Sequence, residues 1–210
     1  MSKMIAIIGG GGFAKEVIEV AESLGYEIYG IFSKDKSNIQ YPYRGYLEEL
    51  DKQKSNFSGV IVAMGAFNKK TLKARNNVLS FLKSNDIGQI SIISPFARIG
   101  ARVVIGKGVY IAHNAVIAVD ANIGDAVLIN TGAFIGHGAI VSSNSCIGPR
   151  VFIGGDSIIE KNVTIAVSSN ILQNVCIGSE STIGPASLVL KSLKPNSFTI
   201  PSPSQVINIG

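Results

Sequence analysis

An aliphatic residue returns at every sixth position along the second half of the chain, from Ile93 to Val189. All seventeen of these positions hold isoleucine or valine, and alanine, valine or serine stands four residues after each of the first sixteen. A period of six matches neither the 3.6-residue period of a helix nor a long alternating strand, but it is typical of a hexapeptide-repeat β-helix. With three hexads to a coil, we expect about five to six coils stacked about 4.8 Å apart. The competing fold, a β-sandwich rich in valine and isoleucine, requires irregular turn spacing.

The first 90 residues follow a different pattern, in which short apolar strands alternate with amphipathic helices. We predict strands at residues 5–8, 27–32 and 59–64, and helices at residues 13–24 and 68–84. Strands that alternate with helices favour a small parallel α/β unit. The sequence therefore predicts two domains, an α/β domain over residues 1–90 and a β-helix over residues 91–210.

Composition excludes several other classes of protein. With 46% hydrophobic and 16% charged residues, the chain is too apolar for a disordered protein, and its two cysteines are too few for a disulfide-stapled domain. The net charge of +5 is spread over both halves, without the concentrated basic face that nucleic-acid binding needs. No segment has the roughly 18 to 20 apolar residues that span a bilayer, and the run at residues 5–8 is too short for a signal peptide. We therefore expect a cytoplasmic protein with free thiols, no membrane insertion and no bound nucleic acid.

Four consecutive glycines at residues 9–12 join the first predicted strand to the first predicted helix. Such a turn presents backbone N–H groups at a helix amino terminus, an arrangement that favours phosphate. The glycines lack the spacing of a dinucleotide fingerprint, so a tight turn without a ligand is the alternative. The mild positive charge favours an anionic, phosphorylated small molecule as the ligand.

Four segments together resemble the bacterial nucleotide-sugar acetyltransferases of the NeuD and PglD type. Residues 9–15 (GGGGFAK) are similar to the family's G-x-G-G-[HF]-[AG]-[KR] motif, and residues 63–68 (AMGAFN) to its A-[IM]-G-x-x-N motif. Residues 129–138 (INTGAFIGHG) resemble its I-N-T-x-A-x-I-x-H-[DE] motif, and residues 183–198 its carboxyl-terminal segment. The resemblance extends over nearly the whole chain and implies a Rossmann-like unit followed by a left-handed parallel β-helix.

The resemblance also implies substrates and binding residues. Family members hold a nucleotide-linked sugar on the two amino-terminal loops, and they bind acetyl-coenzyme A in clefts between the β-helices of a homotrimer. The residues of this chain that correspond to the sugar-nucleotide site are Gly9, Gly11, Gly12, Phe13, Asp35, Gly65, Asn68 and Asn130. Those expected to meet acetyl-coenzyme A, a co-substrate that acts without a metal, are Cys146, Gly155, Ala166, Val167 and Pro185. A solvated loop acid is the alternative for Asp35, and the β-helix turns also need small residues such as Ala166.

The resemblance assigns the general base to His137. Neutral imidazole suits this role near pH 7, and the other histidine, His113, is a less favoured candidate whose alternative is a solvated turn residue. Two positions depart from the family pattern. Gly138 stands where relatives carry an acid after the histidine, and Cys146 stands where they carry a second histidine that meets the donor. We interpret Cys146 as filling the donor channel, and an acyl-accepting nucleophile is the alternative.

The departure at Gly138 bears on the acceptor. Without an acid beside it, His137 is expected to be a weaker base, which suits a sugar amine better than a sugar hydroxyl. The sequence therefore predicts an N-acetyltransferase that acts on the 4-amino group of a UDP- or dTDP-linked 4-amino-4,6-dideoxyhexose, for surface glycans such as lipopolysaccharide O-antigen. Two alternatives stay open: a sugar O-acetyltransferase of the sialic-acid type, and a non-catalytic solenoid scaffold.

Overall fold

The computed structural model describes residues 3–36, 38–66 and 68–201, so Phe67 of the second motif lies outside the described residues. The amino-terminal unit consists, in chain order, of β1 (Met4–Ile8), α1 (Gly12–Ser23), β2 (Glu27–Phe32), α2 (Leu47–Lys52), a 3₁₀ turn (Lys54–Asn56), β3 (Val60–Val62) and α3 (Lys69–Ser84). Its three strands form a parallel sheet in the order β2-β1-β3. The predicted strands and long helices are confirmed, with shifts of one or two residues at their ends.

The sequence pattern did not predict α2. This helix has six residues and buries one side chain, Leu50, so it carries too little apolar periodicity to be recognised. Its first turn is closed by the backbone N–H of Tyr46, which donates to the Glu49 carboxylate at 3.3 Å. Tyr46 thereby caps the amino end of α2.

A two-residue strand lies at each of the seventeen repeat positions, which confirms the predicted fold class of a Rossmann-like unit followed by a left-handed parallel β-helix. These strands are β4 (Ile92–Ile93), β5 (Arg98–Ile99), β6 (Val104–Ile105), β7 (Tyr110–Ile111), β8 (Val116–Ile117), β9 (Asn122–Ile123), β10 (Leu128–Ile129), β11 (Phe134–Ile135), β12 (Ile140–Val141), β13 (Cys146–Ile147), β14 (Phe152–Ile153), β15 (Ile158–Ile159), β16 (Thr164–Ile165), β17 (Asn170–Ile171), β18 (Cys176–Ile177), β19 (Thr182–Ile183) and β20 (Leu188–Val189), and the chain then adds β21 (Phe198–Thr199).

The strands stack into three parallel sheets, which form the three faces of a prism. The first face contains β4, β7, β10, β13, β16, β19 and β21, the second contains β5, β8, β11, β14, β17 and β20, and the third contains β6, β9, β12, β15 and β18. Each strand from β4 to β17 pairs with the strand eighteen residues later, as Ile129 does with Ile147. Residues eighteen apart therefore occupy equivalent places in neighbouring coils.

The interior of the prism is filled by the repeat aliphatics and by the small residues four positions after them. The second residue of each strand points inward, and the first points outward. The buried serines also find partners: the Ser145 hydroxyl donates to the carbonyl of Glu160, and the Ser157 hydroxyl to that of Leu172. Because these hydroxyls bond to the next coil, serine replaces alanine at these positions without an unpaired polar group.

A four-residue turn between consecutive strands makes each corner of the prism. The third residue after each repeat aliphatic in these turns commonly has a positive φ. Glycines and asparagines adopt this conformation readily, but Arg102, Ala126 and Glu180 have it as well. Stacking enforces it, since the N–H of Ala126 donates to the Lys107 carbonyl of the previous coil at 2.7 Å. The first corner, which includes residues 130–133, joins the first and second faces, and the second corner, which includes residues 136–139, joins the second and third.

The amino-terminal unit covers the first face of the prism. Outward side chains of that face, Tyr110, Leu128 and Cys146, are buried in the same apolar cluster as residues of β1 and α1, and the Phe13 ring meets the Tyr110 ring edge-on at 5.3 Å. Arg75 of α3 is fully buried in this junction. Within the described residues, no helix has the length and apolarity needed to cross a membrane.

Candidate active site

A cleft of about 640 Å³ opens at the carboxyl ends of the three amino-terminal strands, where open parallel sheets bind ligands. Six of the eight predicted substrate residues line it: Gly9, Gly11, Gly12, Phe13, Asp35 and Gly65. Other side chains in its wall, including Ser33, Lys34, Lys36, Tyr46 and Thr71, were not singled out from the sequence. The structure thus joins the two amino-terminal motifs into one concave surface.

Glycine is present for different physical reasons at different positions of this cleft. Gly9 has a φ of +128°, and a β-carbon there would collide with the Ala63 carbonyl oxygen, so the close approach of β1 and β3 requires glycine. At Gly11 and Gly12 an added β-carbon would meet no atom within 4 Å. The alternative of a ligand-free tight turn therefore explains Gly9 but not its neighbours. Open backbone at the amino terminus of α1, whose first turn has no acidic residue, suits an approaching anion.

A second pocket, of about 10 Å³, lies beside this cleft at the first corner of the prism. Phe13 and Gly65 line both cavities, and Asn130, Cys146 and Thr164 line the small pocket alone. Asn130 is half-buried there, directly after β10. Because the two cavities share two residues, Asn130 lies close to the cleft, although the small pocket has room for only about one water molecule.

Cys146 points outward from the first face into the junction and is only 5% exposed. Burial raises the pKa of its thiol, which keeps the sulfur protonated. A buried, protonated thiol is a poor nucleophile, so the structure gives no support to an acyl-accepting role. Contact of Cys146 with the donor stays a prediction.

Asn68, the seventh predicted substrate residue, lies at the amino cap of α3 and outside the cleft. Its side-chain oxygen accepts the Thr71 N–H at 3.0 Å, and its own N–H donates to the Thr71 hydroxyl at 3.1 Å. These capping hydrogen bonds explain why asparagine stands at position 68, and no bound ligand is needed to explain it. The neighbouring Thr71 does line the cleft.

His137 lies on the second corner, and its side chain is 63% exposed. Its Nδ1 atom is 3.6 Å from the Asp156 carboxylate, which the next coil supplies. The premise that Gly138 leaves His137 without a neighbouring acid is therefore wrong, because the acid reaches the histidine through space. Gly155 lies against the imidazole, where a β-carbon would overlap the ring, so His137 itself accounts for a glycine that we had assigned to the donor.

His113 is not the solvated turn residue that the sequence suggested as its alternative role. Its Nδ1 is 2.5 Å from the hydroxyl of Ser94, and its Nε2 is 3.5 Å from a carboxylate oxygen of Glu19 on α1. The Phe96 ring meets it edge-on at 5.4 Å. Both ring nitrogens thus have partners, which fits a residue that ties α1 to the prism.

The predicted site residues divide between two corners of the prism. Asn130 lies on the first corner, and so do Ala166, Val167 and the exposed Pro185 in later coils. His137 and Gly155 lie on the second corner, with the strands of the second face between the two groups. Within one chain, the structure does not bring the predicted base to the cleft.

Exposed apolar side chains flank His137 on both sides. On the second face, the rings of Phe134 and Phe152 stack with centroids 5.2 Å apart and planes within 8°. On the third face, Ile140 and Ile158 are about two-fifths exposed. An apolar surface on both sides of a polar corner is typical of a protein–protein interface.

Two residues of the candidate site, Tyr46 in the cleft wall and Asp156 beside His137, were not predicted from the sequence. Tyr46 follows a segment without periodic structure, so no pattern marked it. Asp156 carries a recognisable signal, since it stands eighteen residues after Gly138 and three hexads make one coil. In the described part of the chain, no group of three or more histidine, cysteine or acidic residues is placed to hold a metal ion.

The chain is similar to a known protein family in its amino-terminal part and to solved structures over nearly its whole length. Residues 4–78 match the family model of the PglD N-terminal domain, and a search of curated proteins finds no match. A histidine-to-asparagine variant of perosamine N-acetyltransferase from Caulobacter crescentus, in complex with CoA and GDP-perosamine, has 24% identity and a TM-score of 0.87, over 97% of this chain and 96% of that chain. PerB from Caulobacter crescentus, in complex with CoA and GDP-perosamine, has 25% identity and a TM-score of 0.77, over 97% of both chains.

WeeI from Acinetobacter baumannii has 18% identity and a TM-score of 0.83, over 97% of this chain and 100% of that chain. At this level of identity the likeness concerns the fold. The resemblance to nucleotide-sugar acetyltransferases of the NeuD and PglD type is confirmed, because residues 4–78 match the PglD amino-terminal domain and the whole chain shares its fold with perosamine N-acetyltransferase.

Proposed function

We propose that this chain is an acetyl-coenzyme A-dependent N-acetyltransferase that acts on an amino sugar linked to a nucleoside diphosphate. The observation that carries the proposal is that six of the eight predicted sugar-nucleotide residues line one cleft at the carboxyl ends of the parallel strands. In the proposed complex, a nucleotide bound in this cleft directs its sugar past Phe13 and Gly65 toward Asn130. A scaffold role requires no such cleft.

The cleft offers complementary chemistry to each part of a sugar nucleotide. Open backbone at Gly11 and Gly12 and the ammonium groups of Lys34 and Lys36 suit the diphosphate. Asp35, which also lines the cleft, offers acceptors to the N–H groups of a base or the hydroxyls of a ribose. These contacts favour an anionic ligand with a polar, hydrogen-bonding end.

The prediction of an amine acceptor now rests on the similarity to PerB and not on the basicity of His137. The argument from a weak base no longer holds, since Asp156 lies beside His137. PerB, 25% identical to this chain, is described in complex with CoA and GDP-perosamine. We therefore keep the amino-sugar acceptor, with a UDP- or dTDP-linked 4-amino-4,6-dideoxyhexose as the finer prediction, and add GDP to the nucleotides to be tested.

In the proposed reaction, the amine nitrogen attacks the thioester carbonyl carbon of acetyl-coenzyme A. A carbon–nitrogen bond forms, the carbon–sulfur bond breaks, and the proton from nitrogen passes to Nε2 of His137 and then to the departing sulfur. Asn130 contacts the acceptor sugar. The residues Ala166, Val167 and Pro185 of the first corner stay our prediction for the contact with the donor.

We further propose that the active site forms between copies of the chain in a homotrimer. The cleft and Asn130 lie on the first corner, whereas His137 lies across the second face. The exposed apolar side chains around His137 supply a surface for contact with a neighbour. In this arrangement, His137 of one copy reaches the sugar held by the next.

The test is steady-state kinetics of free coenzyme A thiol release with amino sugars linked to UDP, dTDP and GDP. We expect turnover with at least one of them, and a loss of about 10²- to 10⁴-fold in His137→Ala, the contribution of a positioned base. The matched control acceptor is the same nucleotide sugar with a hydroxyl in place of the amine. Turnover of that control, with none of the amine, replaces the proposal by O-acetylation. A lack of heat on calorimetric titration with acetyl-coenzyme A, together with no turnover, points to the scaffold.

A further inference from the structure

His137 and Asp156 lie at the second corner in consecutive coils. The Asp156 carboxylate is 3.6 Å from Nδ1 of His137, and the Asp156 backbone N–H donates to the His137 carbonyl at 2.8 Å. Distances of this kind shorten into hydrogen bonds when a substrate is bound. The two residues are nineteen positions apart in the sequence, so only the stacking of coils brings them together.

The local backbone is shaped around this contact. Gly138 precedes Asp156 by one coil, and a β-carbon on Gly138 would collide with the Asp156 carboxylate oxygen. A β-carbon on Gly155 would collide with the imidazole of His137. Two glycines therefore make room, one for the carboxylate and one for the ring. A side chain at position 138 would therefore displace the Asp156 carboxylate from its present place.

Two carboxylates face His137, and one of them already has a partner. Asp120 occupies the same corner position as Asp156 but two coils earlier, and Arg102 binds it through hydrogen bonds of 2.6 and 2.9 Å. This contact lowers the pKa of the Asp120 carboxyl and fixes it as the counter-ion of Arg102. Among the described residues, the only ion pair of Asp156 is the one with His137.

We infer that Asp156 is the positioning residue of His137 in the proposed acetyl transfer, in place of an acid directly after the histidine. The inference rests on the proposed function. A carboxylate on Nδ1 holds the proton on that nitrogen and leaves Nε2 as the acceptor for the amine proton. It also fixes the ring against Gly155. Nε2 of His137 then takes the proton from the amine nitrogen and passes it to the departing sulfur.

The first test needs no substrate. Because the chain has only two histidines, ¹⁵N-histidine labelling gives two imidazole spin systems, and His137→Gln assigns them. At pH 8 we expect His137 to carry its proton on Nδ1 in the wild type and to shift toward the Nε2-protonated tautomer in Asp156→Asn. Asp120→Asn, which removes the other nearby carboxylate, should leave the tautomer of His137 unchanged.

The second test is kinetic. Asp156→Asn should lower kcat about 10- to 10²-fold, with the KM for each substrate changed by less than about threefold, since an orienting acid acts through the base and not on binding. Asp120→Asn should stay within about threefold of wild type, as expected for a carboxylate held by another partner. Thermal unfolding of each variant shows that the fold is retained.

A swap of the two positions separates positioning from packing. Asp156→Gly alone should be as slow as Asp156→Asn, and the double variant Asp156→Gly, Gly138→Asp should regain activity to within about fivefold of wild type, because the acid again faces the ring. Wild-type kcat in Asp156→Asn together with an unmoved tautomer overturns the inference and leaves the proposed function intact. An enzyme that turns over no amino sugar, yet shows the Asp156-dependent tautomer, overturns the function and leaves the positioning role standing.

Discussion

The first face of the prism is covered by the amino-terminal unit, whereas no other element within residues 3–201 that the structure describes covers its second and third faces. Inward residues are alike on all faces, since every repeat aliphatic from Ile111 to Val189 is buried. The outward residue of the strand makes the difference. On the first face it is buried from β4 to β16, as for Leu128 at 1% exposed, whereas the second face has exposed outward residues such as Phe152 at 41% and Leu188 at 63%.

This difference separates the hexad position that determines the fold from the position that determines what the prism contacts. The repeat aliphatic defines the coil and is insensitive to what lies outside it. The outward position one residue earlier selects a partner: the amino-terminal unit for the first face, and a proposed second copy of the chain for the others. The proposed function depends on the outward residues and the corners, because the cleft, Asn130 and His137 all lie outside the core.

The largest predicted effect concerns the covered face. Arg75 is fully buried and donates from Nε to Asn144 at 2.7 Å, from Nη1 to the carbonyls of Val62 and Met64, and from Nη2 to the carbonyl of Ala126. Burial lowers the pKa of the guanidinium. Arg75→Met should reduce the free energy of unfolding by about 3–5 kcal/mol, because three backbone carbonyls lose a partner that no other residue replaces.

Urea and thermal unfolding measure this effect. Lys73→Met is the control, since it makes the same kind of change on an exposed residue of α3 and should stay within about 0.5 kcal/mol of wild type. Equal stability of the two variants would mean that the apolar cluster alone holds the unit on the first face.

The next effect concerns the bare faces. We propose that His137 of one copy acts on the sugar held by the next copy. In a trimer that contains both Asn130→Ala and His137→Ala chains, an intact Asn130 then meets an intact His137 at one of the three interfaces. Co-expressed chains with two different tags, purified through both, should therefore show about a third of wild-type turnover, whereas each variant alone shows about a tenth or less.

The control mixture contains His137→Ala and the double variant Asn130→Ala, His137→Ala, and it should recover nothing. If the mixture of Asn130→Ala and His137→Ala chains shows no more turnover than this control, then Asn130 and His137 of the same chain form one site. The second face would then have no role in bringing them together.

Most of the fold follows from the sequence because the period of six is a property of spacing alone. Each strand from β4 to β20 ends on a repeat aliphatic, and no tertiary contact is needed to locate it. The helix α2 escaped notice, since six residues with one buried side chain carry no measurable period. The role of Arg75 was also hidden, because a basic residue in the lysine-rich α3 has the sequence context of a solvated helix face.

The site was predictable where one local segment builds it and not where stacking builds it. The glycine turn at residues 9–12 and the segment at residues 63–65 line the cleft as expected. The acid of His137 was sought at the next position, Gly138, although the coil supplies it from Asp156. A period of eighteen, read from the hexads, is the signal that finds such a neighbour.

The smallest predicted effect tests the apolar surface beside His137. Phe152 stacks on Phe134 in the outward layer of the second face, and it contributes nothing to the interior. Phe152→Asp should therefore leave the chain folded, but it should weaken association of the copies about tenfold, since a charge would be buried against an apolar surface. Asn170→Asp, at the equivalent place one coil later, is the control and should change association by less than about threefold. Sedimentation equilibrium over a range of concentrations measures both, and identical association of Phe152→Asp and wild type would assign this surface to solvent rather than to a neighbouring copy.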